Sequence, residues 1–390
     1  YNLHILICFN LLIILLIWRV SLFIIGALAD RFLPYSPSFP YADAYLAISN
    51  FPRWFYSWGN FDGVHYLTIV IKSYFGIGLI QAFFPLYPIL ITLLTWIKFQ
   101  PLLGALLISN LALAGFAGTW LVLIKKEFNQ KIAWLSLIIL LLFPSAFFMG
   151  AIYNESLFLL FVIQTFYWSK QKNWWLVALF TALATSTRLV GIFLVPALLL
   201  ENWSIYSATL SVKNIRLWIR KEYINLSLII SGSLGLLLYM GYLQLVFKDA
   251  LYFLHVQAEF GAGRQESLIL WPQVAWRYLK IIVTYQPHNW KYFSIIQELA
   301  VSLFGLGGLI LAIKKIRGSY LLFAFGAYFL PTLTGTFSSM PRYILVCFPL
   351  WIWLALILEK HRCWQIAWLL TSSFLLILNT ILFIQGYWVS

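Results

Sequence analysis

The chain has 390 residues, of which 62% are hydrophobic, 19% aromatic and only 10% charged, with a mean hydropathy of +0.87. A soluble domain carries roughly 25% charged residues, so the composition excludes one and points to an all-α polytopic membrane protein. The net charge of +14 would suggest nucleic acid in a soluble chain. Here the basic residues gather in short loops between apolar runs, as the positive-inside rule expects, so no nucleic-acid partner is expected and the excess suits membrane lipids or a phosphate-bearing lipid.

The first apolar run, 4–29, ends in Ala27-Leu28-Ala29, which superficially resembles a signal-peptidase site. It is longer than the roughly 7–15 residues of a signal core and is interrupted by Arg19, so it predicts a retained first membrane helix. Further runs follow at 101–124, 131–149, 152–168, 174–187, 189–201, 223–246, 293–313, 319–334, 343–358 and 364–386. Together they predict about eleven transmembrane helices. Residues 64–82 read as an amphipathic helix lying on the membrane surface. The short run 83–97 carries Pro85 and Pro88 and predicts a re-entrant or juxtamembrane helix.

Basic clusters orient these runs. They lie at Lys125, Lys126 and Lys131; at Lys170 and Lys172; at Lys213, Arg216, Arg220 and Lys221; at Lys314, Lys315 and Arg317; and at Lys360 with Arg362. All five fall on one side if 83–97 does not cross, and that side should be cytoplasmic. The long first loop 30–82, the turns at 150–155, Arg188 and 335–342, and the second large loop 247–292 then face outside. One transmembrane domain spans 1–390, with no detectable repeat or soluble domain.

Three of the four aspartates, Asp30, Asp43 and Asp62, fall within 33 positions in the first loop. Asp30 directly follows a helix and reads as an ordinary solvated helix end. Asp62 sits among Trp58, Phe61, His65 and Tyr66, where an ionisable group at a membrane boundary is costly unless partnered or used. Partial desolvation would raise its basicity, as a general base requires; Asp43 is a second candidate in the same loop. In YNESLF (153–158), Asn154 and Glu155 either cap the next helix or face the same cavity as Asp62. In STRLVG (186–191), Arg188 is either a phosphate ligand or a turn residue snorkelling to headgroups. In FSSMPRYIL (337–345), Ser338, Ser339, Arg342 and Tyr343 either bind a phosphate or sugar or anchor a helix end.

The loop 249–291 offers His255, Glu259, Arg264, Glu266, Arg277 and His288 and reads as a lid or an acceptor site. The three cysteines, Cys8, Cys347 and Cys363, show no CxxC, and the five histidines show no metal spacing. Neither a disulfide framework nor a metal site is expected. No phosphate loop, GxSxG elbow or nucleotide fingerprint occurs, so a soluble nucleotide-sugar donor finds no motif.

NFDGVHYL (60–67), AFFPLYPIL (82–90), YNESLF, STRLVG and MPRYILVCFPL (340–350), in that order, resemble the bacterial relatives of PIG-V, the mannosyltransferase family that adds the second mannose in glycosylphosphatidylinositol anchor synthesis. The resemblance runs from about residue 58 to about residue 350. It implies a GT-C glycosyltransferase with its site on the extracytoplasmic face of a bacterial inner membrane and a polyprenyl-phosphate sugar as donor, without a further cofactor. Its catalytic aspartate would be Asp62. The chain departs from the family at Ile69-Val70 and Ser73-Tyr74, where Ile-Ala and Gly-Tyr are common. Bacteria lack the anchor pathway, so the lipid- or glycan-linked acceptor is not implied.

The expected reaction is inverting transfer of mannose or a related hexose. Asp62 would deprotonate the acceptor hydroxyl, and Arg342, with Arg188 as second candidate, would hold the donor phosphate. His65 and Tyr66 would orient the sugar or Asp62, and Glu155 would bind sugar hydroxyls. A lipid or solute transporter, or flippase, is the alternative of another class. It calls for ionisable groups near the bilayer midplane on repeated broken helices. A non-catalytic scaffold leaves the aspartate loop without a purpose. The sequence names no protein partner.

Overall fold

Every apolar run read from the sequence contains helix. A computed structural model describes residues 2–75, 78–206, 215–257, 259, 264–265, 267–284 and 290–389, and these residues form helices and turns with no strand. After α1 (Asn2–Leu28) come one-turn pieces, among them Ala42–Tyr45 and Arg53–Tyr56. Then follow α2 (Asp62–Lys72), α3 (Leu86–Trp96), α4 (Pro101–Glu127), α5 (Gln130–Leu141), α6 (Glu155–Lys170), α7 (Trp174–Thr185) and α8 (Leu194–Tyr206). The pair α9 (Ile215–Ser231) and α10 (Leu234–Phe247) leads through a one-turn helix, Tyr252–His255, to α11 (Trp271–Thr284) and α12 (Trp290–Ala312). Beyond these lie α13 (Gly318–Thr332), a one-turn helix at Met340–Tyr343, α14 (Phe348–Leu358) and α15 (Arg362–Ile384).

Local chemistry explains several helix starts. Pro101 opens α4, where its missing N–H costs nothing. The Asn129 side chain caps α5 by accepting from the Ile132 N–H at 2.8 Å, and Asn173 does the same for α7 through Leu176.

Five described helical stretches are long and apolar enough to cross a membrane: Cys8–Arg31, Pro101–Glu127, Leu189–Tyr206, Trp290–Ala312 and Arg362–Ile384. The number rises to seven if two bent pairs each count as one span. The sequence reading took 223–246 and 343–358 as continuous. Instead α9 and α10 meet at 45°, and Met340–Val346 meets α14 at 83°. The helices within 131–149, 152–168, 174–187 and 319–334 have only 12 to 16 residues. On α1 and α15, large apolar side chains such as Leu12, Leu16, Leu370 and Phe374 point outward, which fits a membrane protein.

The α9–α10 break has a steric cause. A Cβ on Gly235 would lie 2.0 Å from the Ala182 carbonyl oxygen, so only glycine lets α10 approach α7 this closely. The Thr185 hydroxyl bridges the contact by donating to the Gly232 carbonyl at 2.8 Å.

The helix expected over 64–82 is also shorter, ending at Lys72 because Ser73 takes a positive φ of 54°. It buries Val64, Tyr66, Leu67 and Ile69 in the core rather than lying on a surface.

The basic turns collect at one end. Lys170 bridges Glu127, at 3.3 Å, and Glu201, while Arg317 reaches the same two acids at 3.4 and 3.6 Å. Lys131 pairs with Glu359 at 3.4 Å. Next to Glu201, Asn202 accepts from the Trp218 indole and donates to Glu222, bringing in the start of α9; Lys213 lies outside the described residues. The single helix α6 carries Glu155 at its start and Lys170 at its end, about 22 Å apart at 1.5 Å per residue. The two ends of the bundle are therefore chemically distinct.

Candidate functional site

At the end of the bundle away from the lysines, the segment around Asp62 is held by backbone contacts rather than by regular structure. The Ile152 N–H donates to the Trp58 carbonyl at 3.0 Å, and the Tyr153 hydroxyl donates to the Asn60 carbonyl at 2.9 Å while accepting from the Asp62 N–H at 3.2 Å. Asn60 donates in turn to the Phe383 carbonyl at 2.7 Å. Phe61 is forced to φ 58°, an uncommon conformation for a bulky residue that costs of order 1–3 kcal/mol. The strain aims Asp62, the first residue of α2, at the neighbouring arginine.

That arginine is Arg342. Its Nη1 forms a hydrogen-bonded ion pair with Asp62 Oδ2, and its Nε lies 3.4 Å from Glu155 Oε1. Glu155 also binds Arg188 at 2.7 Å, and Arg188 reaches the Asn154 side chain at 3.4 Å. Charges thus alternate along Asp62, Arg342, Glu155 and Arg188. Two atoms in this chain, Arg342 Nε and Glu155 Oε2, are buried without a hydrogen-bond partner. Around the Arg342 guanidinium stand the rings of Tyr153 and Tyr343, each with its centre at 5.3 Å.

The position of Arg342 has its own cause. Ser339 adopts φ 67° and begins the one-turn helix 340–343, and the Ser145 hydroxyl holds the Pro341 carbonyl. Asn154 donates to the Thr187 carbonyl at 2.9 Å, fixing the turn that carries Arg188, and the Leu86 N–H donates to the Ser186 carbonyl. His65 stacks on Phe83 at 4.9 Å between ring centres, and Tyr66 meets Tyr87 edge-on at 5.0 Å. The five sequence stretches singled out above meet at one place.

Burial pushes the Asp62 carboxyl up, but the Arg342 charge, the smaller influence of His65 and the Arg342 hydrogen bond hold it below the usual carboxylate range. This differs from the raised basicity expected from desolvation alone. Burial also pushes His65 down, outweighing the pull of Asp62, so the imidazole is neutral at pH 7 and Arg342 is the cation that matters. Burial takes the Tyr66 phenol well above its ordinary value, leaving it a donor.

These groups line a cavity of about 1580 Å³. Small-molecule sites usually occupy about 300–1,000 Å³, so there is room for more than one substrate. Asp62, His65, Tyr66, Asn154, Glu155, Arg188, Arg342 and Tyr343 all contribute to its wall. Among the described residues, five basic side chains (Arg188, Arg264, Arg277, Lys291 and Arg342) and three acidic ones (Asp62, Glu155 and Glu298) line it, a net positive balance.

Asp43 is the exception among the expected site residues. Its one-turn helix buries Ala42 and Tyr45, which turns Asp43 to the exposed side, and it does not line the cavity. Asp30 is not merely solvated: it pairs with Arg53 and accepts from Gln385 at 2.6 Å, tying the first loop to the end of α15. Glu155 is 1% exposed and meets both arginines through Oε1, so it holds those cations in place. Glu266 and His288 lie outside the described residues.

Sequence reasoning missed Tyr278, Glu298 and Trp388, which also line the cavity. Glu298 was legible, because a carboxylate inside an apolar span is a functional signal in its own right. Tyr278 sits on α11, a helix within what read as an open loop, and Trp388 follows α15. Among the described residues, no group of three or more His, Cys, Asp or Glu could hold a metal ion. Comparison with protein-family models finds no match to this chain, and neither does comparison with curated proteins.

Proposed function

We propose that the protein is an integral-membrane, inverting glycosyltransferase of the GT-C kind. It would move mannose, or a related hexose, from a polyprenyl-phosphate sugar to a lipid- or glycan-linked acceptor. The observation that carries this reading is the part-buried Asp62–Arg342 pair in the wall of a cavity large enough for two substrates, with Arg342 Nε still lacking a hydrogen-bond partner. A guanidinium has five donors and suits a phosphate bidentately.

In the proposed reaction the acceptor hydroxyl transfers its proton to Asp62 as its oxygen bonds to the anomeric carbon. The carbon–oxygen bond to phosphate breaks with its electron pair, and polyprenyl phosphate departs from the opposite face, inverting the centre. Arg342 balances the charge growing on that leaving group. Glu155 and Arg188 hold Arg342 in place, and Tyr66 and neutral His65 line the sugar's side of the cavity.

The topology belongs to the same reading. Basic turns at the opposite end suit a cytoplasmic side, and on this reading the cavity opens on the extracytoplasmic face of a bacterial inner membrane. The 11-residue α3 is about 16 Å long, short of a bilayer core near 30 Å, which suits a re-entrant helix.

The test is turnover of radiolabelled polyprenyl-phosphate-mannose by purified protein in detergent, where no gradient exists. Cleavage of the donor is expected, falling by about 10²–10⁴-fold in Asp62→Asn. Uncleaved donor, with passage across proteoliposomes instead, would favour a transporter; full activity in Asp62→Asn would remove the base.

A further inference from the structure

The proposed reaction leaves one buried carboxylate in the cavity unused. Glu298, in the third turn of α12, is 4% exposed and lines the same space as Asp62. Its Oε2 accepts from the Tyr278 hydroxyl at 2.6 Å, while its Oε1 takes only two long contacts, from the Ser339 N–H and the Trp388 indole N–H, each at 3.4 Å. Among the described residues no basic side chain comes within 4.0 Å of it, unlike Asp62 and Glu155.

The carboxylate is linked to the reactive pair on two sides. Ser339 begins the turn that carries Arg342, and the Trp388 ring meets the Phe61 ring at 5.3 Å, next to Asp62. The Tyr278 hydroxyl also contacts Thr336 at 3.1 Å, so hydroxyl and carboxylate groups cluster there.

We infer that Glu298, Tyr278 and Trp388 form a second subsite in the cavity, which takes the hydroxyl-rich ring of a carbohydrate. A buried carboxyl group that no cation bonds directly gains most from O–H or N–H donors on a ligand. The weakly occupied Oε1 is the atom with acceptor capacity to spare. Arginines hold the other two carboxylates that line the cavity, Asp62 and Glu155, so the cavity is divided into a phosphate-binding region around Arg342 and a hydroxyl-binding region around Glu298. Naming the occupant the acceptor rests on the transferase reading; carbohydrate binding at Glu298 does not.

The test is direct binding of octyl α-mannoside, octyl β-glucoside and octyl β-glucosaminide to full-length protein in nanodiscs, by equilibrium dialysis with radiolabelled ligand. At least one glycoside should bind wild-type protein and lose about tenfold or more in affinity in Glu298→Gln, and again in Tyr278→Phe. Selective loss of the glucosaminide would assign an amino sugar, and loss of the neutral glycosides a neutral one. The Tyr278→Phe variant guards against misfolding of Glu298→Gln, and melting curves of both must match wild type. Absence of binding by all three glycosides, or unchanged affinity in both variants, overturns the subsite. Glu298-dependent binding without any donor cleavage would sink the transferase reading and leave the subsite standing. Donor cleavage with Glu298-independent binding would do the reverse.

Discussion

At the scale of single residues, Asp62 is governed by two opposed influences, burial and the Arg342 charge, and the charge prevails. A carboxyl held below its usual range stays ionised at neutral and mildly acid pH. The ion pair's contribution to stability is therefore complete above the ordinary carboxylate value, about 4, and disappears as pH falls through the lowered one. Replacing Arg342 by Gln leaves burial unopposed by the nearest cation, and the carboxyl should then titrate higher. On the proposed mechanism, Arg342→Gln lowers donor turnover by about 10²–10³-fold. It also moves the acid limb of the pH–rate profile upward. An acid limb that stays in place in this variant would break the link between the two residues.

At the scale of elements, the site depends on helices that never touch the reacting groups. Tyr239 on α10 donates to the Gln81 carbonyl at 2.6 Å and approaches Phe83, the ring on which His65 stacks. The position of α10 depends on Gly235. Gly235→Ala adds a methyl where 2.0 Å is available, so α10 must move off α7. The expected result is destabilisation of about 1–3 kcal/mol, read as a lower melting temperature, with a higher donor KM as Phe83 shifts. A melting curve and KM equal to those of wild type would mean that this contact is looser than its geometry indicates.

The same scale shows what the sequence revealed. Hydropathy located helix at every apolar run, because apolar length is a direct consequence of a bilayer-like solvent. It did not reveal the breaks at 231–234 and 346–348, since a break depends on what packs opposite it; Thr181 and Ala182 are some 50 residues from the glycines they admit. It placed α11 in a loop, because its 14 residues are too few for a span and are interrupted by Arg277 and Lys280. Asp62, Glu155, Arg188 and Arg342 were each visible as charges beside apolar runs. Their pairing was not, because Asp62 and Arg342 are 280 positions apart. Asp43 carried the same composition signal as Asp62, and only the burial of its neighbours separated the two.

At the scale of the whole molecule, the bundle has one end rich in lysines and arginines, of which Lys131, Lys170 and Arg317 pair with Glu359, Glu127 and Glu201, and another that opens into the cavity. The proposed orientation makes a sidedness prediction. Cys363 is exposed beside the basic turn at 360–362 and should react with a membrane-impermeant maleimide only in inverted vesicles. A Gln265→Cys variant at the cavity, with Cys363 replaced by Ser, should react only in right-side-out vesicles. Labelling in the opposite sense would invert the topology and move the site to the cytoplasm.

The ion pair between Asp62 and Arg342 has a consequence for timing. While the two residues hold each other, the carboxylate is occupied and a stray water meets no free base. A donor phosphate reaching Arg342 competes for that guanidinium and loosens its grip on Asp62. On that mechanism the donor is what releases the base that the acceptor needs. On the proposed mechanism the idle enzyme is guarded against squandering its donor, and the sugar lipid must arrive before the acceptor can be activated.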